Sequence, residues 1–234
     1  MEKRSKTLGV LGGIGPMSSV YFYELLTSLT RAAADQEHLD IVISSRATTP
    51  DRTAFIVGAS DENPLDAMIP DAKRRVAFGA DLIAIPCNTA HYFYDMLAAA
   101  VDVPILNIIE ESVRCLKAQG VTKFGLLATD GTVKSRTYQK YCEAAGIDCV
   151  VPDAAHQARV MSIIYDQIKS GLEPDMESFF DIAHDLREAG CQRLILGCTE
   201  LSLIKKNARL GDFYVDSLEC LARATIHACG KTCN

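Results

Sequence analysis

A thiol placed where a strand hands over to a helix can carry a proton or attack a carbon, and this 234-residue chain has two such positions. The first lies in Ala80-Asp81-Leu82-Ile83-Ala84-Ile85-Pro86-Cys87-Asn88-Thr89-Ala90-His91. Leu82 to Ile85 is a short apolar run bounded by Gly79 and Pro86, the pattern of a buried parallel strand. A helical apolar spacing (Tyr92, Phe93, Met96, Leu97) follows at once. Cys87 therefore sits at a strand-to-helix turn. Ligands of open α/β sheets bind outside the carboxyl ends of strands, where free helix N–H groups favour an anion and lower a thiol's pKa from its usual ~8.5. The design recurs in Leu194-Ile195-Leu196-Gly197-Cys198-Thr199-Glu200-Leu201, with the apolar spacing running on through Leu203 and Ile204. If the chain has two similar α/β halves, such a repeat can set two thiols face to face across a cleft. That arrangement removes a proton from one face of a carbon and returns one to the other.

Other candidates surround these two. Gly12-Gly13-Ile14-Gly15-Pro16 follows a first apolar strand, Leu8 to Leu11, and a backbone without Cβ can approach a ligand closely there. The spacing lacks the third glycine of a dinucleotide fingerprint, so a loop cupping a small carboxylate is the better reading. The second strand, Asp40 to Ser45, runs into Arg46-Ala47-Thr48-Thr49-Pro50-Asp51-Arg52-Thr53. Its arginines suit either a carboxylate clamp or a solvated loop paired with acids such as Asp51. His91, four residues after Cys87 on a helix, could form a Cys–His pair or a packing contact. Lys169 near a helix end reads first as a dipole partner.

The elements that must hold these groups alternate. Helices are predicted over residues 18–34, 65–78 (Arg74 and Arg75 on its wet side), 109–119, 134–145, 155–168, 176–189 and 218–229. Ser217 is the expected cap of the last. Strands are predicted at residues 103–107, 123–129, 148–151 and 213–216, besides those already named. Lys123 to Thr129 restarts the pattern of the first strand, and Asp130-Gly131-Thr132 turns into a helix as the first glycine loop does. Two α/β domains are therefore expected, residues 1–107 plus 208–234 and residues 108–207, the tail returning to the first.

Composition narrows the classes of function. The chain is 48 % apolar and 23 % charged, an ordinary soluble balance, and its net charge of −6 argues against nucleic acid as a partner. No apolar run reaches the ~18 residues of a membrane span. The basic Met1 to Lys6 is followed by a run too rich in glycine for a signal segment, so the expected compartment is the cytoplasm. Nine cysteines without a Cys-x-x-Cys pair or zinc spacing read as reduced thiols, and apart from Cys87 and Cys198 as small buried hydrophobes.

With Gly9-Val10-Leu11-Gly12-Gly13-Ile14-Gly15-Pro16, Pro50-Asp51-Arg52-Thr53, Pro86-Cys87-Asn88-Thr89-Ala90-His91, Leu127-Ala128-Thr129-Asp130-Gly131-Thr132 and Gly197-Cys198-Thr199-Glu200 in this order, the sequence resembles the aspartate/glutamate racemase family. Within it, the chain is most similar to the cofactor-independent aspartate racemases. The resemblance implies two pseudosymmetric Rossmann-like α/β domains with mainly parallel sheets and the active site in the cleft between them, commonly in a homodimer. It implies a two-base reaction without pyridoxal phosphate or metal, with Cys87 and Cys198 as opposed acid and base. Ile14, Asn88, Thr89, Thr129 and Thr199 would hold the α-carboxylate of aspartate, or of glutamate. Arg52 and Lys169 would hold its second carboxylate, and the run Ser45 to Thr49, with Thr48, would line that end of the pocket. Two departures stand out. Glu200 and Gly12-Gly13 replace the Cys-Thr-His motif and the Asp-Ser-Gly loop of glutamate racemases, and Ser45 to Thr49 differs from the Asn-Pro-Gln-Ile run common in aspartate racemases. Superfamily relatives that decarboxylate or isomerise dicarboxylic acids, and a binding protein that has lost turnover, are the alternatives.

Overall fold

A computed structural model describes residues 6–234, so most of the basic start, residues 1–5, lies outside the described residues. Two four-stranded, all-parallel sheets carry the chain. In the first, β1 (Leu8–Gly12) lies between β2 (Ile41–Ser45) and β3 (Leu82–Ala84), with β4 (Ile105–Leu106) outside β3. In the second, β5 (Lys123–Leu127) lies between β6 (Asp148–Val150) and β7 (Arg193–Leu196), with β8 (Tyr214–Asp216) outside β7. The strand orders 2-1-3-4 and 6-5-7-8 are the same path drawn twice, which is the physical content of the repeat around the two cysteines. β1 is buried throughout and β5 from Phe124 onward, so they read as the apolar runs Leu-Gly-Val-Leu-Gly and Phe-Gly-Leu-Leu. Because β8 pairs with β7, the closing strand joins the second sheet, although the 208–234 tail is expected with the first half.

The helices are α1 (Pro16–Leu29), α2 (Arg52–Ile56), α3 (Leu65–Ala77), α4 (Tyr94–Ala98), α5 (Ile108–Ala118), α6 (Asp130–Lys134), α7 (Thr137–Ala145), α8 (Ala154–Ser162), α9 (Met176–Glu188), α10 (Leu201–Ala208) and α11 (Ser217–Ala228). Among the described residues no helix is long and apolar enough to cross a membrane. Helix α11 packs on α5 and α1, so one core joins Leu8 and Val10 of β1 to Phe124 and Leu126 of β5. Glycines at positive φ end several helices where the sequence places them, at Gly120, Gly146 and Gly190.

Several elements depart from the apolar pattern for identifiable reasons. Helix α1 stops at Leu29 rather than residue 34, because the C-terminus captures the chain there. Arg31 N donates to Thr232 O at 2.9 Å and Asn234 N to Leu29 O at 2.9 Å. The helix expected over 134–145 is α7, starting only at Thr137 after a break at Arg136 with φ 53°, and the turn expected at Asp130 to Thr132 is a separate short helix, α6. Beyond α8 the expected helix continues as a π-helical turn, Ile163–Gln167, then a 3-10 turn, Ile168–Ser170. Arg75 is buried rather than on the wet side of α3, paired with Asp71 at 3.4 Å, while Arg74 is exposed. Asp216, not Ser217, caps α11, accepting from Leu218 N at 2.9 Å.

Candidate active site

Cys87 and Cys198 follow the carboxyl ends of β3 and β7, the equivalent strands of the two sheets. Both are buried, at 7 % and 6 % exposure. They line one inner space of about 10 Å³ together with Ile14, Arg52, Thr53, Asn88, Thr89, Thr129, Tyr165, Lys169, Thr199 and Glu200. That volume holds about one water. Outside it lies a cavity of about 500 Å³, and Ile14, Arg52, Lys169 and Glu200 line both, forming the wall between them.

Nine of the ten candidate residues thus come together. Thr48 does not: Thr49 N and Oγ1 both bond Arg46 O, at 3.2 and 2.8 Å, closing a turn that leaves Thr48 exposed at its corner. Its neighbours Ala47 and Thr49 face the outer cavity. Thr53, Tyr165 and Glu200 in the inner space were not singled out as site residues from the sequence. Glu200 adjoins a cysteine motif, so proximity in the chain was a usable signal, whereas nothing in the alternation of residues 155–168 marks Tyr165.

The polar groups knit the two halves. Thr89 Oγ1 lies 2.9 Å from Thr129 Oγ1 and 3.0 Å from Thr132 Oγ1, a cluster of hydroxyls contributed by both cysteine-bearing and glycine-turn loops. Asn88 donates to Ser217 Oγ at 2.9 Å and accepts from Tyr138 OH at 2.7 Å, which fixes its amide and leaves one amide hydrogen free. Thr199 Oγ1 donates to Pro86 O at 3.2 Å, tying one cysteine turn to the other. The Thr199 hydroxyl is therefore spent on positioning in this state. His91 presents Nδ1 to Cys87 O at 2.8 Å; a carbonyl only accepts, so Nδ1 carries the hydrogen and Nε2 accepts from Ile108 N at 3.3 Å. The imidazole engages the carbonyl rather than the sulfur, so there is no Cys–His dyad.

The electrostatics of the two thiols differ. Burial works against the Arg52 cation, but Cys87, Asp51 and Tyr165 together hold its pKa above the ordinary value. Arg52 Nη1 is tied to Pro50 O at 2.9 Å, while its buried Nε has no partner. Such a donor is costly to leave unpaired and suits an incoming anion. Burial, and next the charge of Glu200, push the Cys198 thiol well up, and its Sγ donates to Glu200 Oε2 at 2.9 Å. Lys169 Nζ lies 4.0 Å from Asp51 Oδ2 and 3.9 Å from the centre of the Tyr165 ring. Burial lowers the Lys169 pKa, yet Glu200 and Cys198 more than offset it, leaving the group charged. Tyr165 OH donates to Asp51 Oδ2 at 3.1 Å, and burial pushes its own pKa to about 12. The arrangement can therefore put one thiol beside a cation and hold the other protonated beside a carboxylate.

The Asp/Glu/Hydantoin racemase family model matches residues 11–225. The broad specificity amino-acid racemase RacX of Bacillus subtilis is 27 % identical over 229 residues, covering 94 % of this chain and 96 % of the relative. The glutamate racemase of Aquifex pyrophilus is 34 % identical over 151 residues, 62 % of this chain and 57 % of that one. Among solved structures, the aspartate racemase of Picrophilus torridus superposes with a TM-score of 0.86 at 32 % identity, covering 98 % of this chain and 96 % of its own.

Proposed function

We propose, since the chain belongs to the Asp/Glu/hydantoin racemase family, that it interconverts L- and D-aspartate by proton transfer between two cysteines. The observation that carries this reading is that Cys87 and Cys198, on equivalent strand ends, line one inner space with Arg52 and Lys169. In the proposed reaction Cys87, beside the Arg52 cation, is the base, and Cys198, which holds its hydrogen toward Glu200, is the acid. The Cys87 thiolate takes the Cα proton, the C–H electron pair stays on Cα, and the Cys198 thiol supplies a proton to the opposite face. The return reaction exchanges the roles. Developing charge on the α-carboxylate is met by the free Asn88 amide hydrogen and the Thr89 and Thr129 hydroxyls, set in place before reaction. Arg52 and Lys169 take the second carboxylate.

Two features bear on substrate choice. The outer cavity carries two cations, Arg52 and Lys169, and two acids, Asp51 and Glu200, so selection of a second carboxylate rests on position rather than net charge. The inner space, at about 10 Å³, is smaller than any amino acid, so the wall shared with the outer cavity moves outward to admit substrate. In the same reading the enzyme works in the cytoplasm as a homodimer, and an exposed apolar row on α1, Met17, Val20 and Tyr23, supports the pairing. Sedimentation velocity showing a monomer at micromolar concentration would remove that part.

The test is proton NMR of the purified protein with L-aspartate in deuterium oxide, without pyridoxal phosphate, followed by chiral analysis. Loss of the Cα proton signal together with D-aspartate is the expected result. Exchange with glutamate or another amino acid but not aspartate would correct the substrate. Carbon dioxide released from a malonate, or binding of aspartate without exchange, would replace the racemase reading by a decarboxylase or a binding protein.

A further inference from the structure

Glu200 is 6 % exposed, touches the Cys198 thiol through Oε2, and lines both the inner space and the outer cavity. The glycine loop makes room for it: a Cβ on Gly15 would stand 2.3 Å from Glu200 Oε1. A two-thiol racemase ends each turnover with its protons on the wrong sulfurs. Cys198 finishes as a thiolate in a closed space with room for about one water, and must be reprotonated before it can act again as the acid. A carboxylate with one side on this sulfur and the other on an open cavity is placed to do this.

Resting on the racemase reading, we propose that Glu200 relays the proton between Cys198 and the outer cavity, resetting this thiol between turnovers. After Cys198 has given its proton to the carbanion, the Glu200 carboxylate takes a proton from water in the outer cavity; the O–H bond so formed then breaks as an S–H bond forms on Cys198, and Glu200 is a carboxylate again. When Cys198 must serve as the base, the steps run backwards: Glu200 accepts the thiol proton and passes it out. Lys169 from the 3-10 turn, Tyr165 from the π-helical turn, Arg52 and Asp51 at the start of α2, and Cys87 are the charged or titratable groups around the pair. The two cations offset the negative charge that Cys198 and Glu200 share during transfer. The high Cys198 pKa agrees with a thiol that regains its proton readily.

Glu200→Gln keeps the shape and can still accept from the thiol, but cannot carry a proton; Glu200→Asp keeps the carboxylate. Initial racemisation rates are measured against aspartate concentration in both directions. For Glu200→Gln the expected result is kcat/KM within about threefold of wild type but a rate at saturating substrate about 100-fold lower, the low end of what a positioned proton-transfer group supplies. Glu200→Asp should recover part of the loss. Equal falls in kcat and kcat/KM, which a structural role or a contact made only in the transition state would give, overturn the relay. So do a lower kcat/KM at unchanged kcat, which a binding role would give, and unchanged kinetics. A second readout needs no turnover: alkylation of Cys198, followed by peptide mass spectrometry, should begin at lower pH in Glu200→Gln because the neighbouring charge is gone. An unmoved onset overturns the coupling. A wild-type protein silent toward every amino acid would instead overturn the racemase reading, and the alkylation onset would still decide whether thiol and carboxylate share a proton.

Discussion

At the scale of single residues, chemical role follows from which neighbour each side chain has. The two cysteines are equivalent in the fold but not in surroundings, one beside a guanidinium and the other hydrogen-bonded to a carboxylate. Cys87→Ser and Cys198→Ser are each expected to lower racemisation at least about 100-fold, since a hydroxyl is a far weaker acid than a thiol and is almost never ionised to act as the base at neutral pH. Chiral chromatography of aspartate after incubation with each variant checks this; near-normal turnover in both would end the two-thiol mechanism. Lys169 is charged and faces the outer cavity, where a dicarboxylate would reach it. Lys169→Ala should raise KM for aspartate by about tenfold, the worth of one charge-assisted hydrogen bond, and leave KM for a monocarboxylic amino acid much less changed. A uniform rise across both substrates would assign Lys169 to packing alone.

At the scale of elements, the loops after β1, β3 and β7 meet because each strand ends on the same side of its sheet, as parallel pairing requires. Backbone space is then decisive. Gly15 has no room for a methyl group against Glu200, yet the obstacle is the end of a flexible side chain rather than backbone. Gly15→Ala is therefore expected to fold normally and displace Glu200, so that it reproduces the saturation defect of Glu200→Gln; circular dichroism with steady-state kinetics separates this from unfolding. At Gly197 the neighbours are different, Leu126 Cδ1 at 2.5 Å and Leu127 O at 3.1 Å. Gly197→Ala presses on β5 itself and should cost about 1–3 kcal/mol in urea unfolding, as overpacking does. The π-helical turn that carries Tyr165 and leads to Lys169 is the kind of irregularity found at functional sites.

At the scale of the whole molecule, the site is also the seam between the halves, so stability and function share residues. Asn88 links Tyr138 and Ser217, and His91 bonds Cys87 O while accepting from Ile108 N. Burial lowers the His91 pKa, so the folded protein keeps the ring neutral. An unfolded chain protonates it below about pH 6.5, binds more protons than the folded one there, and gains in stability as the pH falls. The folded state should therefore lose stability as the pH drops from about 7 to 5, and His91→Gln, though less stable at neutral pH, should show a shallower decline. Melting curves of both proteins across that range test it. The comparison isolates the imidazole from Asp216, whose raised pKa acts with the opposite sign.

What the chain determined by itself was mostly local: eight strands from apolar runs, helix stops at glycines, and two cysteines after equivalent strands. These are legible because burial and period act on neighbours in sequence. The quoted family motifs contain eight of the ten candidate residues, all but Thr48 and Lys169, since each motif is a short loop whose backbone course its own residues dictate. The end of α1 at Leu29, the breaks around α6 and beyond α8, and the exposure of Thr48 were not legible. Each depends on a partner far away in the chain or on a turn's corner. The contact between Glu200 and Cys198, the burial of Arg75 against Asp71, and the closed inner space were likewise decided only by tertiary structure. Hydrogen bonds and close packing act between residues that the fold, not the sequence order, makes adjacent.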